Sequence, residues 1–274
     1  MKYGIIGAGA MGYRYGVMLQ ENAGAQVDFI DTWQPNVEKV REQGGASVAR
    51  DHENRHIVPI NIYYPEEYMG HPDVWIIFKK QMQLADELQR DAKAGIFHDD
   101  QYVFSAMNGM GHFEKIAQYF SPDKMVCGTA MIATRMDAPA NVDFMGAAGS
   151  EVMHMAPYNS ETPDETMQAI FADFEKAVLS PVWAKDWQGM CMSKVVFNAV
   201  CNTLCTMFQI QMGQFIAYDG VRDMARQLFD EAFDACERAG IYLIESREEE
   251  VESVIEVSKA YKYHYPSMYQ DFSK

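Results

Sequence analysis

Six residues near the start of the chain, Gly7-Ala8-Gly9-Ala10-Met11-Gly12, restrict its fold more than any other stretch. They follow an apolar run at 3–6 and open a helical pattern at 11–23 that Gly24 closes. In that setting G-x-G-x-x-G is a dinucleotide-binding fingerprint. Gly7 permits the tight turn, Gly9 lets the backbone approach a pyrophosphate, and Gly12 lets helix and strand pack closely. The helix start offers backbone N–H groups to phosphates, so Ala8, Ala10 and Met11 join the glycines as candidate cofactor contacts. A second apolar run, 27–30, ends on Asp31, 19 residues beyond Gly12. The ribose-reading acid of this motif lies about 20 residues on, where a carboxylate accepts from the 2′-hydroxyl and repels a 2′-phosphate. NAD is therefore expected over NADP. The alternative for Asp31 is a cap for the next helix, 37–43, which Gly44 ends.

Further strand-like runs at 74–78, 102–106 and 125–133 alternate with helical stretches. This alternation predicts an α/β fold for 1–185, a Rossmann domain with a doubly wound parallel sheet. Thr162-Pro163-Asp164-Glu165 predicts a helix start capped by Thr162, and a last short strand falls near 182–184. After Trp187 helical periodicity takes over at 190–208, at 221–239 before Gly240, and at 246–263 behind a Ser246/Glu249 capping box. A second, all-helical domain over 186–274 is expected, for substrate and dimerisation.

Charge narrows the partners. The 274 residues carry 23 basic and 39 acidic side chains, a net charge of −16, which argues against nucleic acid and anionic membranes. No apolar run in the sequence approaches the ~20 residues of a membrane span, and a strand-like start leaves no room for a signal peptide. Five cysteines without paired spacing read as reduced thiols. A cytoplasmic protein is expected. Weaker signals are read as structural. His52 and His56, with Glu53 between, read as a solvated helix rather than metal ligands. Cys191, Cys201, Cys205 and Cys236 read as packing residues rather than zinc ligands, so no metal is expected. Residues 245–252 read as a solvated acidic face. Met110, Met131 and Met212 are candidate pocket residues, and Tyr261, Tyr263, Tyr265 and Tyr269 are expected to form a dimer surface or to cover a C-terminal tail.

Chemistry is suggested by Lys194, Asn198 and Asn202, which recur every four residues on the first helix of the second domain. At ~100° per residue they line one stripe, with Val195, Val196, Phe197, Val200, Cys201 and Leu204 around them. A polar seam satisfied by loops is one reading. The other is a site facing the cofactor, where a desolvated lysine passes a proton to a carbonyl oxygen as hydride reaches carbon.

The chain resembles the ketopantoate reductase family over nearly its whole length. Residues 7–12 fit the family's opening, Lys80-Gln81-Met82-Gln83 its K-x-x-Q, and Asn108-Gly109-Met110-Gly111 its N-G-M-G loop. The Lys194, Asn198, Asn202 helix fits its K-x3-N-x3-N, and Ser267-Met268-Tyr269-Gln270-Asp271 its S-M-x-Q-D segment. The resemblance implies that Lys194 is the general acid, that Asn198 and Ser267 hold substrate, with Asn202 on the same stripe, and that Asn108 and Lys80 sit beside cofactor and substrate. It also implies a homodimer, and a catalytic glutamate at a position beyond Lys274. Four departures stand out. Asp31 replaces a basic residue, Met212 and His264 replace substrate-contacting asparagines, and Thr203 replaces a proline. A lost amide and a gained thioether suit an aromatic or branched 2-oxo acid, as in the NAD-dependent D-mandelate dehydrogenase branch, which makes D-2-hydroxy acids. The expectation is thus an NADH-dependent reductase of a bulky 2-oxo acid. Ketopantoate reduction and a non-catalytic NAD(H) sensor are the alternatives.

Overall fold

The computed structural model describes residues 1–149 and 152–273. The chain forms two compact units. One comprises Met1–Met107 and Gly111–Trp187, the other Asn108–Met110 and Gln188–Lys274.

In the first unit the chain runs β1 (Lys2–Ile6), α1 (Ala10–Ala23), β2 (Gln26–Ile30), α2 (Gln34–Gln43), β3 (Ala46–Arg50), β4 (Glu53–Val58) and β5 (Asn61–Tyr63). It continues through β6 (Val74–Ile77), α3 (Leu84–Lys93), β7 (Tyr102–Ser105), α4 (Phe113–Ile116) and β8 (Met125–Met131). The unit closes with β9 (Ala133–Ala138), β10 (Asn141–Met145), β11 (Val152–Pro157), α5 (Glu165–Lys176) and β12 (Pro181–Trp183). The larger sheet has the order β12-β11-β8-β7-β6-β1-β2-β5. From β1 the chain moves through β2 to β5, then returns to the other side of β1 as β6 and continues outward through β7 and β8. The switch point lies between β1 and β6, and open α/β sheets bind ligands there, at the carboxyl ends of the strands. All four residues of β6 are buried, as expected of a strand covered on both faces. Tyr15 of α1, Phe104 of β7 and Phe174 of α5 meet in the core, with the Phe104 and Phe174 ring centroids 5.0 Å apart.

The α/β expectation holds, with differences in detail. The sheet is parallel except where β8 pairs antiparallel with β11. The run read as one strand over 125–133 divides at Ile132, where the chain leaves the large sheet for a second one, ordered β4-β3-β10-β9. His52 and His56 lie on a turn and on β4, not on a helix. Asp51, His52 and Asn54 have positive φ, a conformation tolerated by these polar residues and incompatible with helix. The Asp143 carboxylate accepts the His52 backbone N–H at 3.1 Å. Asp164, not Thr162, caps α5, its carboxylate accepting the Met167 N–H at 2.8 Å.

The second unit holds α6 (Trp187–Phe208), whose first residue belongs to the first unit, then α7 (Met212–Phe215), α8 (Val221–Arg238), α9 (Arg247–Ala260) and α10 (Ser267–Phe272). In length and composition α6 would suffice to cross a membrane, contrary to the expectation from apolar runs. It buries Val196, Val200, Cys201 and Cys205 and carries the polar stripe, as a core helix does. All five cysteines of the chain are buried. The capping box of Ser246 and Glu249 forms as expected. The acidic face at 245–252 does not stay wholly in solvent, because Glu250 is buried.

Candidate active site

The glycine turn leaves β1 at the switch point. Gly7 has φ +97°, and a Cβ there would lie 2.1 Å from the Phe78 carbonyl oxygen. At Gly12 a Cβ would lie 2.0 Å from the Gly7 carbonyl oxygen, so a glycine is what lets α1 approach the turn. Gly9 is the opposite case. Its backbone is extended, with φ −86° and ψ −169°, and a Cβ there meets nothing within 4 Å. The chain's own sterics do not demand this glycine, and the open space above it fits a ligand group brought against the backbone. No side chain caps α1 at Gly9, which suits a phosphate at the N–H groups of Ala10 and Met11. This cradle fits the pyrophosphate of a dinucleotide.

Asp31 follows β2 and is buried. One carboxylate oxygen accepts the Thr32 and Trp33 N–H groups at 2.7 and 3.0 Å, and the other accepts the Asn36 amide at 3.1 Å. The capping alternative therefore describes part of its work, although Trp33 is the N-cap of α2. A carboxylate has about four acceptor positions, so about one is left for a ribose hydroxyl. Asn36 is a residue that the sequence did not single out. Its amide donates to Ala8 O at 2.9 Å and to Asp31, and accepts from Tyr13 OH at 2.9 Å and Ala140 N–H at 2.8 Å. With every position filled, it ties the glycine turn to the acid. An asparagine at a helix start is too common to have signalled this.

After β6 come Lys79 and Lys80. Lys80, the residue expected near cofactor, is exposed. Lys79 turns inward, its ammonium 3.1 Å from Glu87 and 3.9 Å from Asp31. Its position after the strand beside the switch point is the signal that would have found it.

In the helical unit, Lys194 and Asn198 are half-buried and Asn202 is buried. The Lys194 ammonium lies 5.2 Å from the Phe197 ring centroid. Burial lowers its pKa to about 8, while Cys201 and Glu250 pull the other way. Burial raises the Glu250 carboxyl to about 7, with Glu245 adding to the rise and Lys194 opposing it. Glu250 was missed because Glu248, Glu249 and Glu252 around it are acidic and exposed. It shares the buried side of α9 with Val254 and Ser258, at fourfold spacing, and that period was readable. Met212 and His264, far apart in sequence, come together through a 3.1 Å hydrogen bond from the Met212 N–H to the His264 carbonyl. Met212 is buried, and burial lowers the His264 pKa. Ser267 begins α10 and is exposed. Asn108 and Met110 group with the helical unit, whereas Met131 ends β8 in the other.

Two family models match the chain in order, ketopantoate reductase PanE/ApbA at residues 3–158 and its C-terminal counterpart at 186–274. A 2-dehydropantoate 2-reductase of Streptococcus pyogenes serotype M3 is 27% identical over 272 residues, covering 97% of this chain and 83% of the relative. The protein of that name in Lactococcus lactis subsp. lactis is 26% identical over 275 residues, covering 100% and 86%. Among solved structures, a D-mandelate dehydrogenase in ternary complex with NADH and anilino(oxo)acetate matches with TM-score 0.86 at 25% identity, covering 98% of this chain and 84% of that one. The matches run through the Rossmann sheet and on through the helices that follow it in sequence, and the chain belongs to the ketopantoate reductase PanE/ApbA family of nicotinamide-dependent oxidoreductases.

Proposed function

We propose that this chain is an NADH-dependent reductase converting a bulky 2-oxo acid, such as benzoylformate or a branched-chain 2-oxo acid, into its D-2-hydroxy acid. The observation that carries the reading is Lys194, half-buried, with an ammonium made acidic to about 8 by burial. Such a group stays mostly protonated at neutral pH yet releases its proton more readily than a solvated lysine. Bound NADH supplies the hydride that adds to the carbonyl carbon. Lys194 gives its proton to the carbonyl oxygen and regains one from solvent, so 2-oxo acid, NADH and a proton become 2-hydroxy acid and NAD. Asn198, Asn202 and Asn108 offer amides, and Ser267 a hydroxyl, to the substrate's carboxylate and carbonyl. Gly7, Ala8, Gly9, Ala10, Met11 and Gly12 hold the phosphates, Asp31 takes the ribose hydroxyl, and Lys80 stands at the cofactor side.

The bulky substrate is supported by buried Met212 and by His264, whose pKa burial lowers, at positions where the family resemblance implies amides. The NADH held by the D-mandelate dehydrogenase neighbour supports the cofactor choice. The reading takes the protein as a cytoplasmic homodimer that works on small molecules; its charge of −16 supports the exclusion of nucleic acid. A second reading, 2-dehydropantoate 2-reductase, is favoured by the names of the curated relatives.

A substrate panel with NADH and NADPH, followed by the loss of reduced-nicotinamide absorbance, tests this. NADH oxidation is expected with benzoylformate or 2-oxoisocaproate, at a kcat/KM about tenfold or more above that for ketopantoate. Preference for ketopantoate selects the second reading. NADH binding with no oxidation across the panel leaves a sensor.

A further inference from the structure

We infer that Glu87 and Lys79 set the choice of dinucleotide, Glu87 holding the Lys79 ammonium beside Asp31 and so withholding a nearby cation from a 2′-phosphate. This rests on the NADH reading above and adds two residues to it.

The geometry is local to the Rossmann unit. Asp31 follows β2 and Lys79 follows β6, so the strands flanking β1 each deliver a charge beside the glycine turn. The Lys79 stem runs along that turn, with Cδ 3.2 Å from where a Gly7 Cβ would stand. Its ammonium then ends 3.1 Å from a Glu87 oxygen and 3.9 Å from Asp31. The Lys79 and Asp31 side chains are each only 9% exposed and Glu87 18%, so this pairing is shielded from the screening that makes surface ion pairs weak. Glu87 is itself held, because the Thr32 hydroxyl donates to its carboxylate at 2.9 Å. Thr32 directly follows Asp31, so one hydrogen bond joins the ribose-reading loop to α3.

The charges decide the outcome. Asp31, Lys79 and Glu87 sum to one negative charge. Arg90, also on α3, is engaged by both oxygens of Glu66 at 2.6 and 3.0 Å. A 2′-phosphate entering beside Asp31 meets a net negative cluster, and must pull Lys79 from Glu87 to gain a counter-charge. A ribose 2′-hydroxyl meets neither obstacle. In sequence, Lys79 and Lys80 after β6 resemble a phosphate-binding pair; Glu87, in the first turn of α3, cancels the inner one.

The test is dinucleotide affinity, measured by quenching of tryptophan fluorescence with NADH and with NADPH. Glu87→Gln keeps an acceptor for Thr32 and removes the charge. It is expected to tighten NADPH about tenfold while changing the NADH Kd less than about threefold. Adding Lys79→Met to Glu87→Gln is expected to erase the gain, and Lys79→Met alone to leave NADPH no weaker than in wild type. Glu87→Ala, which removes the same carboxylate, is a second route to the Lys79-dependent gain should Glu87→Gln fold poorly. Wild-type NADH affinity in a variant reports an intact glycine turn. An unchanged NADPH affinity in Glu87→Gln, or a gain that survives Lys79→Met, overturns the inference alone. Wild-type protein that binds neither dinucleotide, or prefers NADPH, overturns the NADH reading along with it.

Discussion

Lys194→Ala is expected to lower kcat for 2-oxo acid reduction by about three orders of magnitude and to leave the NADH Kd within about threefold. The size follows from general acid catalysis, where a positioned proton donor contributes about 10²- to 10⁴-fold. The sparing of affinity follows from placement, because Lys194 belongs to the helical unit and the glycine turn and Asp31 to the other. Single-turnover NADH oxidation reads the loss, and fluorescence titration reads the binding. Lys194→Met separates chemistry from packing, since it restores the buried stem without the proton. Turnover recovered in the Met variant would reduce the lysine to a packing role. Stability is expected to move the other way. A lysine whose folded pKa is lowered to about 8 opposes folding while it is charged, and that opposition fades as pH rises through the folded and then the unfolded value. At neutral pH the Met variant should therefore melt no lower than the wild type.

Gly12→Ala and Gly9→Ala are expected to fail in different ways. An added Cβ at Gly12 would stand 2.0 Å from the Gly7 carbonyl oxygen and 3.1 Å from Ile5 Cγ2. Backbone cannot rotate aside as a side-chain tip does, so α1 must move off the turn, at a cost of about 1–3 kcal/mol or more. Denaturant unfolding should show that loss, and NADH affinity should fall at least about tenfold with the displaced helix start. At Gly9 a methyl meets open space and an ordinary φ. Stability should then change by less than about 1 kcal/mol, with affinity again falling at least about tenfold, because the methyl occupies the space read as the pyrophosphate's. Equal NADH binding by Gly9→Ala and wild type would remove the phosphate cradle from the account.

The two expected behaviours of these glycines show what a sequence carries. Gly7, Gly9 and Gly12 were legible because three different steric demands sit at fixed offsets between a strand and a helix. Asp31 was legible for the same reason, as a fixed distance along one βαβ unit. Lys79 was legible only as a residue after a strand, since its meeting with Asp31 depends on β6 lying against β1 rather than on any spacing in the chain. Asn36 was hidden too, because its four hydrogen bonds reach residues as distant as Ala140. The second sheet escaped because β4 exposes five of its six residues, so neither alternation nor an apolar run marks it. In the helical unit the Lys194 stripe was readable from the fourfold repeat alone. The pairing of Met212 with His264 was not, as it is made by backbone groups at the start of α7 and in the loop before α10, which carry no side-chain signature.

The pH dependence of hydride transfer, followed by single-turnover NADH oxidation between about pH 6 and about pH 10, bears most directly on the claim that Lys194 is the proton donor. Reduction needs the ammonium, so the rate is expected to hold on the acid side and fall as pH rises through about 8. An ionised Glu250 holds the Lys194 pKa up, so Glu250→Gln is expected to move that fall to lower pH. A rate that stays level across the range, or a fall that does not shift in Glu250→Gln, would contradict it.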